Sequence, residues 1–281
     1  MKNLKARLTE CGWDFPITSF VAACWIILAL VFAIYDLQIS IAIVDRHSSW
    51  AEFIADYGEV PGHLVTFLSL LIIFRLRGEN PPIRTAFFWL LVLIGSTSSL
   101  YGVVKPFVKG FSLLERKSFL VISACAIFAV VLQAVLEKVE RQHLSNYGSL
   151  TKTVLLIAII NPLLFVQTVK ILWGRIRFRD LQPDYSDFTP WFVPRGITGH
   201  FSFPSGHTAM GWMLLPLFSL IRDKEWKIKV PVFFAIIAWG FTVAAGRIVI
   251  GAHYASDTLF PSGVAIISYI ILKKKYDEVD G

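Results

Sequence analysis

Phe15-Pro-Ile-Thr-Ser-Phe-Val-Ala-Ala-Cys-Trp-Ile-Ile-Leu-Ala-Leu-Val-Phe-Ala-Ile-Tyr35 holds no charged side chain. At ~1.5 Å of rise per residue, a run of about 20 residues matches a hydrocarbon core ~30 Å thick. The apolar core of a cleavable signal is shorter, ~7–15 residues, so the run reads as a first transmembrane helix and not as a leader. Similar apolar stretches recur to the end of the chain, near 60–75, 85–104, 118–136, 152–170, 204–221, 229–246 and 257–272. With the first, placed at 16–36, they predict eight spans. Some are only about 15 residues long, below the usual ~20, which requires extension by interfacial residues or burial inside the bundle. The expected fold is an all-α, polytopic transmembrane helical bundle.

Composition agrees. The chain is 55% hydrophobic and 17% charged, less charge than a soluble domain of 281 residues needs. Its net charge of +7 fits basic loops facing anionic lipid heads, and nucleic acid is not expected as a partner. Cys11, Cys24 and Cys125 lack metal-ligand spacing, and the last two lie in apolar runs, so neither a disulfide nor a zinc site is expected.

With the N-terminus in the cytoplasm, the inside segments are 1–15, 75–84, 137–151, 222–228 and the tail from Lys273. They hold Lys and Arg at 2, 5, 7, 75, 77, 84, 138, 141, 222, 224, 227 and 273–275, as the positive-inside rule asks. The outer segment 105–117 runs against it with Lys105, Lys109, Arg116 and Lys117. Of the two long outer connections, 37–59 carries Trp50, Phe53 and Tyr57 and reads as an interfacial helix. In 171–203, the stretch Phe188-Thr-Pro-Trp-Phe192 is expected to wall a lateral entrance for a lipid.

Three clusters fall on that outer side: Lys170-Ile-Leu-Trp-Gly-Arg-Ile-Arg177, Phe203-Pro-Ser-Gly-His207, and Gly246-Arg-Ile-Val-Ile-Gly-Ala-His253-Tyr-Ala-Ser-Asp257. Lys170, Arg177 and Arg247 suit a doubly charged anion, since a guanidinium fork matches phosphate oxygens and an ammonium adds a point charge. Ser205 and Gly206 open a helix whose N-terminal amides attract anions. Of His207 and His253, one can attack phosphorus and the other protonate the departing oxygen. Asp257, four residues after His253, can hold that imidazole in the attacking tautomer. Each residue also has a plain structural reading: interfacial snorkelling for Lys170 and Arg177, hydrogen bonding for each histidine, helix capping for Ser205 and Asp257. What the plain readings do not explain is the gathering of all of them at one membrane face.

The spacing Lys-x6-Arg, Pro-Ser-Gly-His, Arg-x5-His-x3-Asp resembles the type 2 phosphatidic acid phosphatase superfamily over about residues 150–272. The resemblance implies a six-helix core with extra N-terminal helices, divided as 1–150 N-terminal helices, 151–273 catalytic core and 274–281 cytoplasmic tail. It implies His253 as nucleophile, Asp257 as its partner and His207 as general acid. Lys170, Arg177, Ser205, Gly206 and Arg247 would bind phosphate, with no metal and no cofactor. The expected function is a lipid phosphatase acting on a phosphate monoester or pyrophosphate from the extracytoplasmic face of a bacterial inner membrane. The alternatives are a lipid phosphotransferase using the same intermediate and a non-enzymatic anion transporter. Phe178 after Arg177 and Gly246 before Arg247 depart from the family's usual Pro and Ser. The stretch from Trp173 to His207 looks most like bacterial lipid A phosphatases.

Overall fold

In the computed structural model, residues 14–77, 82–109 and 118–280 are described. Cys11, the basic residues at 2, 5 and 7, and Arg116 and Lys117 lie outside them. The described residues fold as an all-helical bundle without strands. Its elements are α1 (Asp14–Ile43), α2 (Ser49–Tyr57), α3 (Val60–Leu76), α4 (Pro82–Val108), α5 (Ser118–Leu136) and α6 (Arg141–Ser145). After these come α7 (Gly148–Ala158), a π-helical stretch (Ile159–Val166), α8 (Gln167–Trp173), α9 (Gly206–Gly211), α10 (Trp226–Val249) and α11 (Ala255–Asp280).

Seven of the helices are long and apolar enough to cross a membrane, which makes this an integral membrane protein. They correspond to seven of the eight expected spans. The eighth, Gly206–Ile221, is a shorter apolar helix. Its six α-helical residues continue as ten in 3₁₀ geometry, Trp212–Ile221. The tighter coil rises ~2.0 Å per residue instead of ~1.5, so the whole segment still reaches roughly 29 Å. The π-helical stretch contains Pro162, whose missing N–H breaks the regular ladder. There, the buried Asn161 Nδ2 donates across to the carbonyl of Pro261 in α11 at 3.0 Å.

The expected interfacial helix is α2. It buries Ala51 and Ile54 and leaves Trp50 and Phe53 outward. The bundle's main core gathers Val154, Ile157, Trp212, Met213, Leu215 and Ile236. The Trp212 indole sits where a Cβ on Gly240 would come within 2.7 Å of it, so a small residue sets the approach of α10. The same indole N–H donates to Ser262 Oγ at 2.7 Å.

The two ends of the bundle differ. At one, Arg75 Nε donates to the carbonyls of Leu136 and Val139, and Arg77 pairs with Glu137 at 2.9 Å. At the other, Lys109, which runs against the charge rule, is neutralised by Asp56 at 2.5 Å.

At that second end α1 is locked to α11 through a buried cation. Arg175, fully buried, reaches Asp36 of α1 at 2.9 Å and Asp257 of α11 at 2.6 Å. Its Nε donates to the Thr189 carbonyl at 2.9 Å, and its guanidinium lies 3.9 Å from the Tyr254 ring centre. Removing one member of such a group leaves an uncompensated buried charge, a loss of about 3–5 kcal/mol. Arg175→Ala is therefore expected to lower stability by about that amount in thermal unfolding of the detergent-solubilised protein. Adding Asp36→Asn should then cost less than it does alone, since the two changes share one interaction.

Candidate active site

Lys170 stands in the last turn of α8. The helix ends at Gly174, whose φ of 61° is left-handed, and a Cβ there would meet the Gly196 carbonyl at 2.1 Å. Only glycine fits that reversal. It turns the chain so that Arg175 enters the core while Arg177 follows in extended backbone.

The Pro-Ser-Gly-His segment is fastened to α11 through a second proline. Pro261 has no N–H to give the carbonyl of Asp257, four residues earlier. The Ser205 N–H takes that acceptor at 2.8 Å. Ser205 is fully buried, and its Oγ caps α9 by accepting from the Thr208 N–H at 3.4 Å. The plain capping reading of Ser205 is thus realised, with its hydroxyl facing its own helix. Gly206 lies beside Lys170, whose Nζ would stand 3.7 Å from a Cβ added there.

Arg247 stands, buried, in the last turn of α10. The carbonyl of Arg247 accepts from both the Ala252 and the His253 N–H groups at 3.1 Å, closing a tight loop through Gly251 at φ 66°. Gly251 in turn accepts from the Arg179 N–H at 3.0 Å, which ties this loop to the segment after Arg177. Lys170, Arg177 and Arg247 lie close enough to act on one another's charge.

Asp257 does two jobs. Oδ2 accepts from the Tyr254 N–H at 3.0 Å, the return half of a capping box at the start of α11, and from Ser202 Oγ at 2.5 Å. The same oxygen stands 3.5 Å from His253 Nδ1, a long contact of the kind that tightens when substrate binds. His253 is 1% exposed. Burial pushes its pKa down to about 3; Asp257 pulls the other way, and Arg247 adds to the lowering. At neutral pH its imidazole is uncharged, the form in which nitrogen can attack.

His207 faces two acceptors: Glu59 Oε1 at 3.1 Å from Nδ1, and the Ala55 carbonyl at 3.1 Å from Nε2. Its neighbours in charge are Arg247, His253 and Lys170. The three sequence clusters therefore meet, with Ser205 contributing its backbone to the framework.

Three charged groups escaped the sequence reading: Asp36, Glu59 and Arg175. An acid at the end of an apolar span is a signal in itself, because such a charge needs a partner. The aromatics of 188–192 form internal contacts as well. Trp191 packs at a tilt against Phe260, with ring centres 4.5 Å apart, and its indole N–H donates to the Ala29 carbonyl at 3.0 Å. It braces α1 and α11, and of Trp191 and Phe192 only Phe192 is exposed. Among the described residues no group of three or more His, Cys, Asp or Glu is arranged to hold a metal ion.

Neither the curated proteins nor the solved structures give a match to this chain. A family model described as the PAP2 superfamily does match, at residues 151–278, the part that carries all three clusters. That segment is similar to the PAP2 superfamily, whose members include phosphatases.

Proposed function

We propose that the protein is a lipid phosphatase that works through a phospho-histidine intermediate on His253. The observation that carries this reading is the buried, uncharged His253 with Asp257 at 3.5 Å from Nδ1, near Arg247 and Lys170, on which Arg177 acts in turn. With Nδ1 turned to the acid, Nε2 is left to attack. The three cations would bind the phosphate oxygens and stabilise the charge that gathers on them in the transition state. As the P–O bond breaks, the departing oxygen takes a proton from His207. Water then attacks phosphorus, the N–P bond breaks, and phosphate leaves.

The chemistry needs no metal on this reading, since fixed cations supply the charge that a metal would provide. A lipid is the fitting substrate because the cluster sits where apolar helices end, at the depth of a headgroup. Loop charge supports a site on the extracytoplasmic side of the membrane.

His253→Ala should cut phosphate release from a lipid phosphate by roughly 10⁴-fold or more, with activity of the unaltered protein persisting in EDTA and blocked by vanadate. Substantial turnover by a folded His253→Ala protein would overturn the mechanism. For sidedness, cysteines placed at Asp184 and Lys224 are to be labelled in intact cells with an impermeant thiol reagent. The Asp184 position should react and the Lys224 position should not; the reverse pattern would move the site to the cytoplasm.

A further inference from the structure

The proposed acid, His207, has a carboxylate of its own, and it comes from outside the matched segment. Glu59 lies at the junction of α2 and α3, where Gly58 allows close packing: a Cβ there would meet the Ile54 carbonyl at 2.5 Å. Two acceptors face the one imidazole, Glu59 Oε1 at Nδ1 and the Ala55 carbonyl at Nε2, each at 3.1 Å. A neutral ring offers one N–H only. Both contacts are satisfied together only when a further proton lies between Nδ1 and Oε1. The pair therefore holds two protons, one more than a lone neutral histidine.

The surroundings fit a proton donor. Glu59 and His207 are partly exposed, 29% and 26% at the side chain, whereas His253 and Asp257 are sealed. Glu59 and Gly206 border a cavity of about 350 Å³ whose wall also carries Ser98, Ser99 and Gln167. The same wall includes Ala158, Pro162, Leu163 and Met210, so the cavity beside Glu59 offers both polar and apolar surface to the alcohol half of an ester. The charges nearest Glu59 are Arg247, Lys105 and Lys170.

We propose that Glu59 is the positioning residue for proton delivery, sharing a second proton with His207 Nδ1 so that Nε2–H can be passed to the leaving oxygen as Nδ1 takes up the shared proton. This rests on the phospho-histidine reading above. The substrate's ester oxygen takes the place of the Ala55 carbonyl. As the P–O bond breaks, its electron pair goes to the alcohol oxygen together with the Nε2 proton, leaving His207 neutral with Nδ1–H on Glu59. When water attacks, its proton returns to Nε2, and the electron pair of the N–P bond returns to His253.

The test compares leaving groups on the full-length protein in detergent. An alkyl phosphate, dihexanoyl phosphatidic acid, leaves as a poor alkoxide and depends on the acid. p-Nitrophenyl phosphate leaves as a stable phenolate and depends on it little. Glu59→Gln should lower kcat on the alkyl ester by about 100-fold, the lower end of general-acid contributions, and on the aryl ester by less than about 10-fold. Glu59→Asp, which keeps the carboxylate, should recover part of the alkyl activity, and His207→Gln should show the same split as Glu59→Gln. Equal losses on both esters, or no loss on either, would overturn the role of Glu59. Full activity of His253→Ala on both esters would instead overturn the phosphatase mechanism itself, so the two failures are distinguishable. Should Glu59→Gln fail to fold, the alkyl-to-aryl ratio of Glu59→Asp decides the matter: an unchanged ratio counts against the proposal.

Discussion

One guanidinium holds this end of the bundle together. Arg175 sits with no exposure between Asp36 and Asp257, two carboxylates that come from the first and the last helix. Such a group is a poor source of net stability, because the desolvation of three charges offsets most of their attraction. Its effect is on geometry. A fork with fixed donors fixes two carboxylates and the Ser256 hydroxyl at once, since Nη1 also donates to Ser256 Oγ at 2.8 Å. Ser256 is held a second time from α1: its N–H, left without a partner at the start of a helix, donates to Asp36 Oδ1 at 2.9 Å. The first turn of α11 is thus capped by a residue 220 positions earlier, and the orientation of Asp257 against His253 follows from it.

The rest of the site is made of helix ends, and that explains why prolines and glycines recur around it. A helix terminus carries backbone groups with no partner, and here those groups join one segment to the next. Pro261 leaves the Asp257 carbonyl free for Ser205; Gly174 lets α8 stop beside the Gly196 carbonyl; Gly251 lets one carbonyl of Arg247 serve two amides. For Ser205 and Asp257 the capping reading and the functional reading are therefore compatible. The cap is what gives each residue its place.

How much of this the sequence shows depends on distance along the chain. Clusters written as short runs, Lys170 to Arg177 and Arg247 to Asp257, are legible because helix alternation and loop charge put them at one end. Asp36 and Glu59 signal by their place at a span end only that a partner is needed; which partner, Arg175 or His207, lies more than a hundred residues away and is set by the fold. The stretch at 204–221 is expected as a full span, and the structure gives it that reach by putting Trp212–Ile221 in 3₁₀ geometry, which a residue count at α-helical rise does not foresee. Trp191 has the composition of an interfacial residue, yet its partners Phe203 and Phe260 are brought to it by tertiary packing. Aromatic content gives the depth of that loop but not which ring faces lipid.

The two imidazoles also differ in a way that follows from their acids. Asp257 is pinned by Arg175, Ser202 and Tyr254, so the nitrogen it contacts is fixed and shut away from water. On the proposed reading, a buried, uncharged imidazole with Asp257 behind Nδ1 suits attack, which needs a lone pair in a constant direction. The Glu59 carboxylate contacts His207 Nδ1 and borders a cavity. A partly exposed pair suits proton traffic, which needs water to arrive and alcohol to leave. Exchanging the two acids would defeat both tasks: a rigid, dry donor has no route for the second proton transfer, and a wet nucleophile would be partly protonated or misdirected. On the proposed reading, the difference between His253 and His207 is set by what packs behind each ring, and Asp257 through Asp36, like Glu59 itself, depends on helices that precede residue 151.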